Sequence, residues 1–311
     1  MKKILITGGA GYIGSKLSTK LVNEGHQVTV IDLMKYNKSS LNHLMGDKKF
    51  NLIVGDCCKN DLLKKTLKDK DFIIPLAGLV GAPLCDKYPK ETVRVNKNSI
   101  LLLKKLIKKN QKIIFLTTNS GYGIGEKNKY CDENSPLRPV SLYGRTKNDA
   151  EKIVRTSNNY ICFRLATVFG YSYRMRTDLI VNNFVFNSLK TKKIALYEEN
   201  FRRNFIHVDD VISAINFSIK NFSKLKNNVY NLGLSSANIT KYQLAKLIKK
   251  NIKDLKITRM KNKKDPDRRD YFVSNKKIEK KGFKASTSLD DGIKELINIF
   301  SLDKTSYKNN Y

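Results

Sequence analysis

TGGAGYIG, residues 7–14, follows a short apolar run and opens a stretch with helical spacing. In such a strand-turn-helix context Gly8 permits the tight turn, Gly11 lets the backbone approach a pyrophosphate, and Gly14 allows the helix to pack closely on the strand. A bound phosphate then lies at the positive end of the helix. The segment therefore predicts a dinucleotide-binding turn, with Tyr12 and Ile13 in the same cradle.

The first half of the chain alternates short apolar runs with amphipathic stretches. The runs predict buried strands at Ile4–Thr7, Val28–Ile31, Phe50–Val54, Phe72–Leu76, Ile113–Thr117 and Tyr160–Leu165. The amphipathic stretches predict helices at Gly11–Glu24, Asp61–Leu67, Glu91–Lys109 and Tyr143–Thr156. This alternation is typical of an α/β fold with a doubly wound parallel sheet of the Rossmann type.

Beyond Gly170 the alternation weakens and predicts a smaller, mixed α/β region. Its expected elements are a helix near Asp178–Leu189, a strand at Phe205–His207, and helices near Asp209–Lys220, Lys241–Lys250 and Leu289–Ile299. We expect residues 1–170, completed by residues 206–231, to bind the cofactor and residues 171–311 mainly to bind substrate. Active sites of open sheets form beyond the carboxyl ends of the strands, so this region would close over the cofactor.

A carboxylate ends the second predicted strand, about twenty residues after the glycine turn. At this place Asp32 would accept hydrogen bonds from the adenosine ribose and repel a 2′-phosphate, which favours NAD over NADP. Asp56, after the third strand, is suited to the adenine edge. Further cofactor candidates lie near strand ends or beside these residues: Cys57, Leu76, Ala77, Gly78, Asn96 and Thr117.

The spacing YGRTK places Tyr143 and Lys147 one helical turn apart on the same face. A phenol has an unperturbed pKa of about 10, too high for a base near neutrality. The Lys147 ammonium, together with a positive nicotinamide ring, is expected to favour the phenolate and bring Tyr143 into range. Thr118, at the end of the fifth strand, would orient the same substrate hydroxyl.

These residues resemble those of an extended short-chain dehydrogenase/reductase of the nucleotide-sugar epimerase/dehydratase group. The resemblance covers nearly the whole chain and rests on TGGAGYIG, Asp32, Gly55–Asp56, Pro75–Gly78, Asn96, Thr117–Gly123, YGRTK, Phe163–Gly170 and Phe201–Asp210. It implies oxidation of a sugar hydroxyl, usually at C4, by tightly held NAD. It also implies Tyr143 as base, Lys147 on the nicotinamide ribose, and a homodimer formed through the helices near Glu91–Lys109 and Tyr143–Thr156.

Asn119 and Ser120 bear on the fate of the keto sugar once C4 has been oxidised. The 4,6-dehydratases of this group resemble one another in carrying an Asp-Glu pair here, and neutral side chains cannot both protonate a leaving hydroxyl and remove a proton. Plain C4 oxidation and C4 epimerisation remain. Several stretches are similar to the GDP-heptose 4-dehydrogenases and favour oxidation: Leu79–Cys85, Thr118–Lys127, Arg174–Arg176, Gly233–Asn238 and Asp265–Tyr271.

Basic and polar residues of the second half are candidates for substrate binding. Arg203 stands where the group places an arginine on the substrate pyrophosphate, and Arg176 and Arg269 would complete a bidentate clamp. Asn182 and Asn183 are candidates for binding the phosphate or the base of the substrate nucleotide. Thr167 lies at a position where several relatives have Asn, and it is a further candidate for contacting the nucleotide. We expect a GDP- or UDP-linked sugar as substrate and no metal site.

The composition limits which other classes of function are possible. Lys and Arg number 60 against 28 acidic residues, a formal charge of +32, but no basic motif with interleaved aromatic residues indicates a nucleic-acid partner. The five cysteines lack metal-type spacing and are typical of reduced thiols. The sequence also shows no signal segment and no long apolar run, so we expect a cytoplasmic protein without an integral membrane contact. A non-catalytic dinucleotide-binding scaffold is the remaining alternative, and loss of the tyrosine or lysine would be its signature.

Overall fold

The structure, a computed structural model, describes residues 1–36, 38–126, 129–260 and 269–302. Lys127 and Asp265–Arg268, which belong to two of the stretches similar to the GDP-heptose 4-dehydrogenases, lie outside the described residues. The strands are β1 Lys3–Thr7, β2 Gln27–Asp32, β3 Phe50–Val54, β4 Phe72–Pro75, β5 Lys112–Thr118, β6 Tyr130–Cys131, β7 Tyr160–Leu165, β8 Thr167–Phe169, β9 Lys193–Leu196, β10 Arg202–His207, β11 Asn228–Leu232, β12 Asn238–Thr240, β13 Lys256–Arg259 and β14 Phe272–Val273.

The α-helices lie between these strands except for the last two, which follow β14. They are α1 Tyr12–Asn23, α2 Asn60–Leu67, α3 Ala82–Lys87, α4 Pro89–Val93, α5 Ser99–Leu106, α6 Leu142–Arg155, α7 Ile180–Thr191, α8 Val208–Lys220, α9 Phe222–Leu225, α10 Lys241–Asn251, α11 Lys276–Glu279 and α12 Leu289–Leu302. In the described part of the chain, no helix has the length and apolar character needed to cross a bilayer.

Seven parallel strands form the central sheet in the order β11-β7-β5-β4-β1-β2-β3. Both faces of the sheet are covered, as the alternation along β1 shows: Ile4 and Ile6 pack into the core that contains α1 and α8, whereas Leu5 packs against α2 and α5. Such strands, buried on both faces, are typical of doubly wound sheets. The predicted fold class is confirmed.

The chain leaves the central sheet directly after β7. β8 pairs with β10, and β10 pairs with β12, in a separate three-stranded sheet. β11 then returns to the central sheet and pairs with β7 from Asn228 to Leu232. The division into two regions stays a prediction, although the return of β11 shows that the central sheet draws on residues beyond 206.

The helix predicted at Glu91–Lys109 is not continuous. A π-helical turn, Arg94–Asn98, separates α4 from α5, and α5 ends at Leu106 because Ile107 has an extended backbone. The turn directs the Asn96 side chain back to the loop after β4, where its amide accepts from the Leu79 N–H at 2.8 Å and donates to the Leu79 carbonyl at 2.9 Å. A local irregularity of the helix thus holds the loop beside the site.

Candidate active site

A cavity of about 1240 Å³ lies at the carboxyl edge of the central sheet. The edge brings together residues that are far apart in the chain because parallel strands end on the same side. Candidates that line the cavity are Gly8, Gly11, Tyr12, Ile13, Gly14, Asp32, Asp56, Cys57, Leu76, Ala77, Gly78, Thr117, Thr118, Ser120, Tyr143, Lys147, Thr167, Arg176, Asn183, Arg203 and Arg269. The volume exceeds that of a site for one small ligand and suits a dinucleotide with a second nucleotide.

The glycine turn is packed so closely that two of its glycines have no room for a side chain. Gly8 has φ +73°, and a Cβ there would lie 2.6 Å from the Ala77 nitrogen. A Cβ on Gly14 would lie 2.4 Å from the Gly8 carbonyl oxygen. The start of α1 is therefore pressed against the turn, and its unpaired N–H groups and positive end lie at the cavity.

Asp32 is held at the cavity by the backbone around it. One carboxylate oxygen accepts from the Ala10 N–H at 3.0 Å and the other accepts from the Met34 N–H at 2.8 Å. Each oxygen keeps a further lone pair for a ligand. This orientation suits the predicted acceptance of ribose hydroxyls.

Asp56 lines the cavity and is held there by two protein partners. Its carboxylate accepts from the Cys58 N–H at 2.8 Å and pairs with Arg94 Nη1 at 2.8 Å, and Arg94 in turn binds Glu91 through Nε at 2.7 Å. Burial opposes ionisation, but hydrogen bonds from Cys58 and Arg94 hold the pKa of Asp56 below its ordinary value. Each carboxylate oxygen has one protein partner and keeps a lone pair at the cavity, so the role of Asp56 at the adenine edge stays a prediction. The sequence carried no signal for the contact with Arg94.

Of the other cofactor candidates, all but Asn96 line the cavity. Thr117, only 2% exposed, lines the cavity, and its hydroxyl has no hydrogen-bond partner among the described residues. A buried polar atom without a partner is costly, so a ligand that supplies one fits this site. Asn96 does not line the cavity, because its amide is spent on the Leu79 backbone.

Tyr143 and Lys147 are placed by the first turns of α6. Ser141 caps the helix by accepting from the Gly144 N–H at 3.2 Å, so the phenol enters the cavity beside Thr118. Burial raises the pKa of Tyr143 to about 12. In the protein alone, desolvation therefore outweighs the nearby positive charges, and the lowering expected from Lys147 together with a nicotinamide ring stays a prediction for the cofactor-bound site.

The Lys147 ammonium lies 4.3 Å from the centre of the Phe115 ring. No carboxylate or hydrogen-bond acceptor of the described residues pairs with it, and burial lowers the pKa of Lys147 to about 8. A ligand hydroxyl near this ammonium would replace part of its lost hydration. The cavity thus fits a cofactor ribose at Lys147, as the resemblance implies.

Asn119 and Ser120 follow Thr118 in a 3₁₀ turn, Asn119–Tyr122. The Ser120 hydroxyl lies 2.8 Å from the Thr118 hydroxyl, and Arg269 donates from Nη1 to the Ser120 oxygen. Asn119 is 1% exposed, does not line the cavity, and its amide has no partner among the described residues. Of the pair predicted to contact substrate, only Ser120 faces the site.

The candidate substrate residues are only partly brought together. Arg176 is buried and forms a bidentate ion pair with Asp178, so part of its charge is already balanced. Asn182 is fully buried: its amide accepts from the Gly170 N–H at 3.1 Å and donates to the Arg176 carbonyl at 2.9 Å. The structure therefore assigns Asn182 to holding this loop, whereas Asn183 reaches the cavity.

Within the part of the chain that the structure describes, two groups of three acidic, cysteine or histidine side chains lie close enough to share an ion. One comprises Asp56, Cys57 and Cys58, and the other His207, Asp209 and Glu295. A cation from outside each group already binds one of its members: Arg94 pairs with Asp56 at 2.8 Å, and Lys16 pairs with Asp209 at 2.6 Å. His207 is 3% exposed and lies outside the cavity lining, as expected for a structural residue.

Comparison with known proteins gives a family for this arrangement. The profile of the NAD dependent epimerase/dehydratase family matches residues 4–233. UDP-glucuronic acid decarboxylase 1 of Danio rerio is 27% identical over 323 residues, covering 99% of this chain and 75% of that protein.

Solved structures of the same shape include two nucleotide-sugar enzymes. The UDP-glucose 4-epimerase of Thermotoga maritima with UDP-glucose superimposes with a TM-score of 0.83 at 24% identity, covering 96% of this chain and 99% of that one. The dTDP-glucose 4,6-dehydratase of Bacillus anthracis in complex with NAD gives a TM-score of 0.83 at 22% identity, with 98% of each chain covered. At this identity the likeness shows the fold.

Proposed function

The chain belongs to the NAD dependent epimerase/dehydratase family, and from that membership we propose that it oxidises C4 of a nucleotide-activated sugar. NAD, the cofactor predicted from the glycine turn and Asp32, is the cofactor of this family. The observation that carries the proposal is the convergence of Thr118, Tyr143 and Lys147 on the cavity that also contains the glycine turn. A binding protein has no need of such a proton-transfer group.

Thr118, Tyr143 and Lys147 have different roles in the proposed reaction. Thr118 orients the C4 hydroxyl, and the Tyr143 phenolate takes its proton as the C4–H bond breaks and the C4–O bond becomes a carbonyl. Lys147 holds the cofactor ribose and keeps a positive charge beside the phenolate. NAD, when bound, supplies the acceptor for the hydride from C4.

The best candidate substrate is GDP-D-glycero-α-D-manno-heptose, converted to its 4-keto form in bacterial surface-polysaccharide synthesis. The stretches similar to the GDP-heptose 4-dehydrogenases support this choice, as does the neutral Asn119-Ser120 pair, which lacks the acid and base that dehydration requires. Arg203 lines the cavity, where its guanidinium group suits the substrate pyrophosphate. The homodimer implied by the resemblance remains part of the proposal.

C4 epimerisation of a UDP-sugar is the second candidate, because it uses the same three residues and differs only in returning the hydride to the other face. NMR of the products formed from GDP-heptose and from UDP-glucose separates the two. A 4-keto heptose is the expected product, and conversion of UDP-glucose to UDP-galactose would contradict the dehydrogenase assignment. Tyr143→Phe should keep NAD binding and abolish turnover with either substrate; undiminished turnover would refute the role of Tyr143.

A further inference from the structure

The loop that follows β8, residues 170–174, is fixed on the start of α1. The Gly170 carbonyl accepts from the Tyr12 hydroxyl at 2.6 Å, and the Ser172 hydroxyl donates to the Tyr12 carbonyl at 2.5 Å. The hydroxyls of Ser15 and Ser172 lie 3.1 Å apart. All three contacts are buried. The loop therefore stands beside the helix end at which a dinucleotide places its pyrophosphate.

The end of this loop reaches the segment that follows β2. The centres of the Tyr173 and His43 rings lie 4.4 Å apart, and Arg174 Cζ lies 4.9 Å from the centre of the Tyr36 ring. Tyr36 comes four residues after Asp32, the carboxylate predicted to bind the adenosine ribose. Arg174 and Tyr36 both line the cavity. The guanidinium group of Arg174 thus belongs to the adenosine side of the cavity.

The Arg174 guanidinium group is charged and almost fully buried. Only 3% of the residue is exposed, and burial lowers the pKa of Arg174 to about 10. The Arg176 charge acts in the same direction, whereas Asp178, Tyr36 and Asp32 oppose it. A buried cation is stabilised by an anion within hydrogen-bond reach. A ligand that brings negative charge to this part of the cavity therefore gains from Arg174.

The pyrophosphate of NAD is the anion that suits this position. The adenine and the two riboses carry no charge, and the nicotinamide ring is positive. A guanidinium group is planar and donates from five N–H groups, so it can bind two phosphate oxygens at once. The substrate pyrophosphate offers the same chemistry, but the Tyr36 ring and the Asp32 carboxylate beside Arg174 are on the cofactor side.

We infer that Arg174 is a cofactor-binding residue, whose guanidinium group binds the pyrophosphate of NAD from the loop after β8 while the Tyr36 ring supports it. The N–H groups at the start of α1 bind the pyrophosphate as well, so two separate elements hold the cofactor. The cofactor can then leave only when the contact with Arg174 breaks. The inference rests on the proposed function for the place of NAD in the cavity, and it requires no sugar substrate.

Displacement of NADH from the loaded protein tests the inference. The fluorescence of bound NADH reports the occupancy of the cofactor site, and the competitors are ADP, which carries two phosphates, and adenosine, which carries none. Arg174→Met should weaken ADP binding about 10- to 100-fold, the effect of losing a hydrogen bond between charged groups, and should change adenosine binding less than about 3-fold. NADH should also dissociate faster from this variant, because lost contacts mostly raise the dissociation rate.

Two further variants and a second ligand control the result. Arg174→Lys keeps the charge without the planar set of donors and should recover part of the ADP affinity. Arg203→Met removes a cation that lines the same cavity on β10 and should leave the ADP affinity unchanged. Calorimetric titration of GDP into the NADH-loaded protein separates the two pyrophosphates, since Arg203→Met should weaken GDP binding and Arg174→Met should not.

Three results would overturn the inference. In Arg174→Met, an unchanged ADP affinity would mean that the residue does not contact the cofactor phosphate, and equal losses for ADP and adenosine would mean that it only shapes the site. A loss confined to GDP would assign Arg174 to the substrate.

The proposed reaction can fail independently of this role. If Arg174→Met weakens ADP binding as expected but the wild type converts no nucleotide sugar, the proposed reaction is wrong and the role of Arg174 stands. If the wild type turns over a nucleotide sugar while Arg174→Met keeps its ADP affinity, the inference alone is wrong.

Discussion

A buried ion pair attaches the helix that carries Tyr143 and Lys147 to the central sheet. Removing this ion pair tests how much it stabilises the fold. Glu151, two turns after Tyr143 on α6, accepts from Arg164 of β7 through Nη2 at 2.7 Å and Nε at 3.1 Å. Only 3% and 2% of the Arg164 and Glu151 side chains are exposed. Glu151→Gln removes the charge and turns an amide N–H₂ towards a guanidinium donor.

Breaking a buried pair by removing one partner destabilises a protein by about 3–5 kcal/mol, because the other charge is left in the interior. Arg164 keeps two neutral partners, the Tyr122 hydroxyl and the Glu133 carbonyl, each at 3.1 Å. These partners place the expected loss at the lower end, about 3 kcal/mol. The matched control is Asp149→Asn on the same helix, whose bond to Lys97 is exposed and worth about 1 kcal/mol or less.

Urea unfolding followed by far-ultraviolet circular dichroism measures both losses. The Glu151→Gln midpoint should move well below that of the wild type with an unchanged denaturant slope, while Asp149→Asn should remain close to the wild type. A Glu151→Gln loss under about 1 kcal/mol, no larger than that of Asp149→Asn, would refute the view that this pair attaches α6 to the sheet.

Two further predictions concern the glycine turn and Lys147. Gly8→Ala should lower the stability of the protein and also its NAD affinity, measured by calorimetric titration, because the added Cβ would lie 2.6 Å from the Ala77 nitrogen. The control is Gly25→Ala, where φ is +82° but the space around the residue is open. This variant should lose only about 1–2 kcal/mol of stability from backbone strain and keep the NAD affinity. Burial lowers the Lys147 pKa from 10.5 to about 8, so the unfolded chain binds more protons between these values and this residue makes stability rise with pH across that window. In cofactor-free protein, Lys147→Met should remove this rise of the unfolding free energy with pH. If the wild type and Lys147→Met gave the same pH profile of the unfolding free energy, the lowered pKa of Lys147 would be contradicted.

Short-range patterns in the chain were enough to place the cofactor end of the site. Gly8 directly follows β1, Gly14 lies in the first turn of α1, and Asp32 ends β2. The apolar runs of both strands are visible in the sequence, and all three residues lie at the cavity. The i, i+4 spacing of Tyr143 and Lys147 likewise sets their common helix face without tertiary information. The break at Arg94–Asn98 was missed because helical periodicity is nearly the same on both sides of a π turn.

The partners and protonation states of these residues depend on which elements become neighbours. Asp56 meets Arg94 across 38 positions of the chain, and Ser120 meets Arg269 across 149. In the protein without cofactor, burial raises the pKa of Tyr143 to about 12. The lowering predicted from Lys147 together with the nicotinamide ring concerns the cofactor-bound site and stays a prediction. Residue type and local spacing specify which groups are present, but desolvation and long-range ion pairing arise only from packing, and they decide how those groups bind protons.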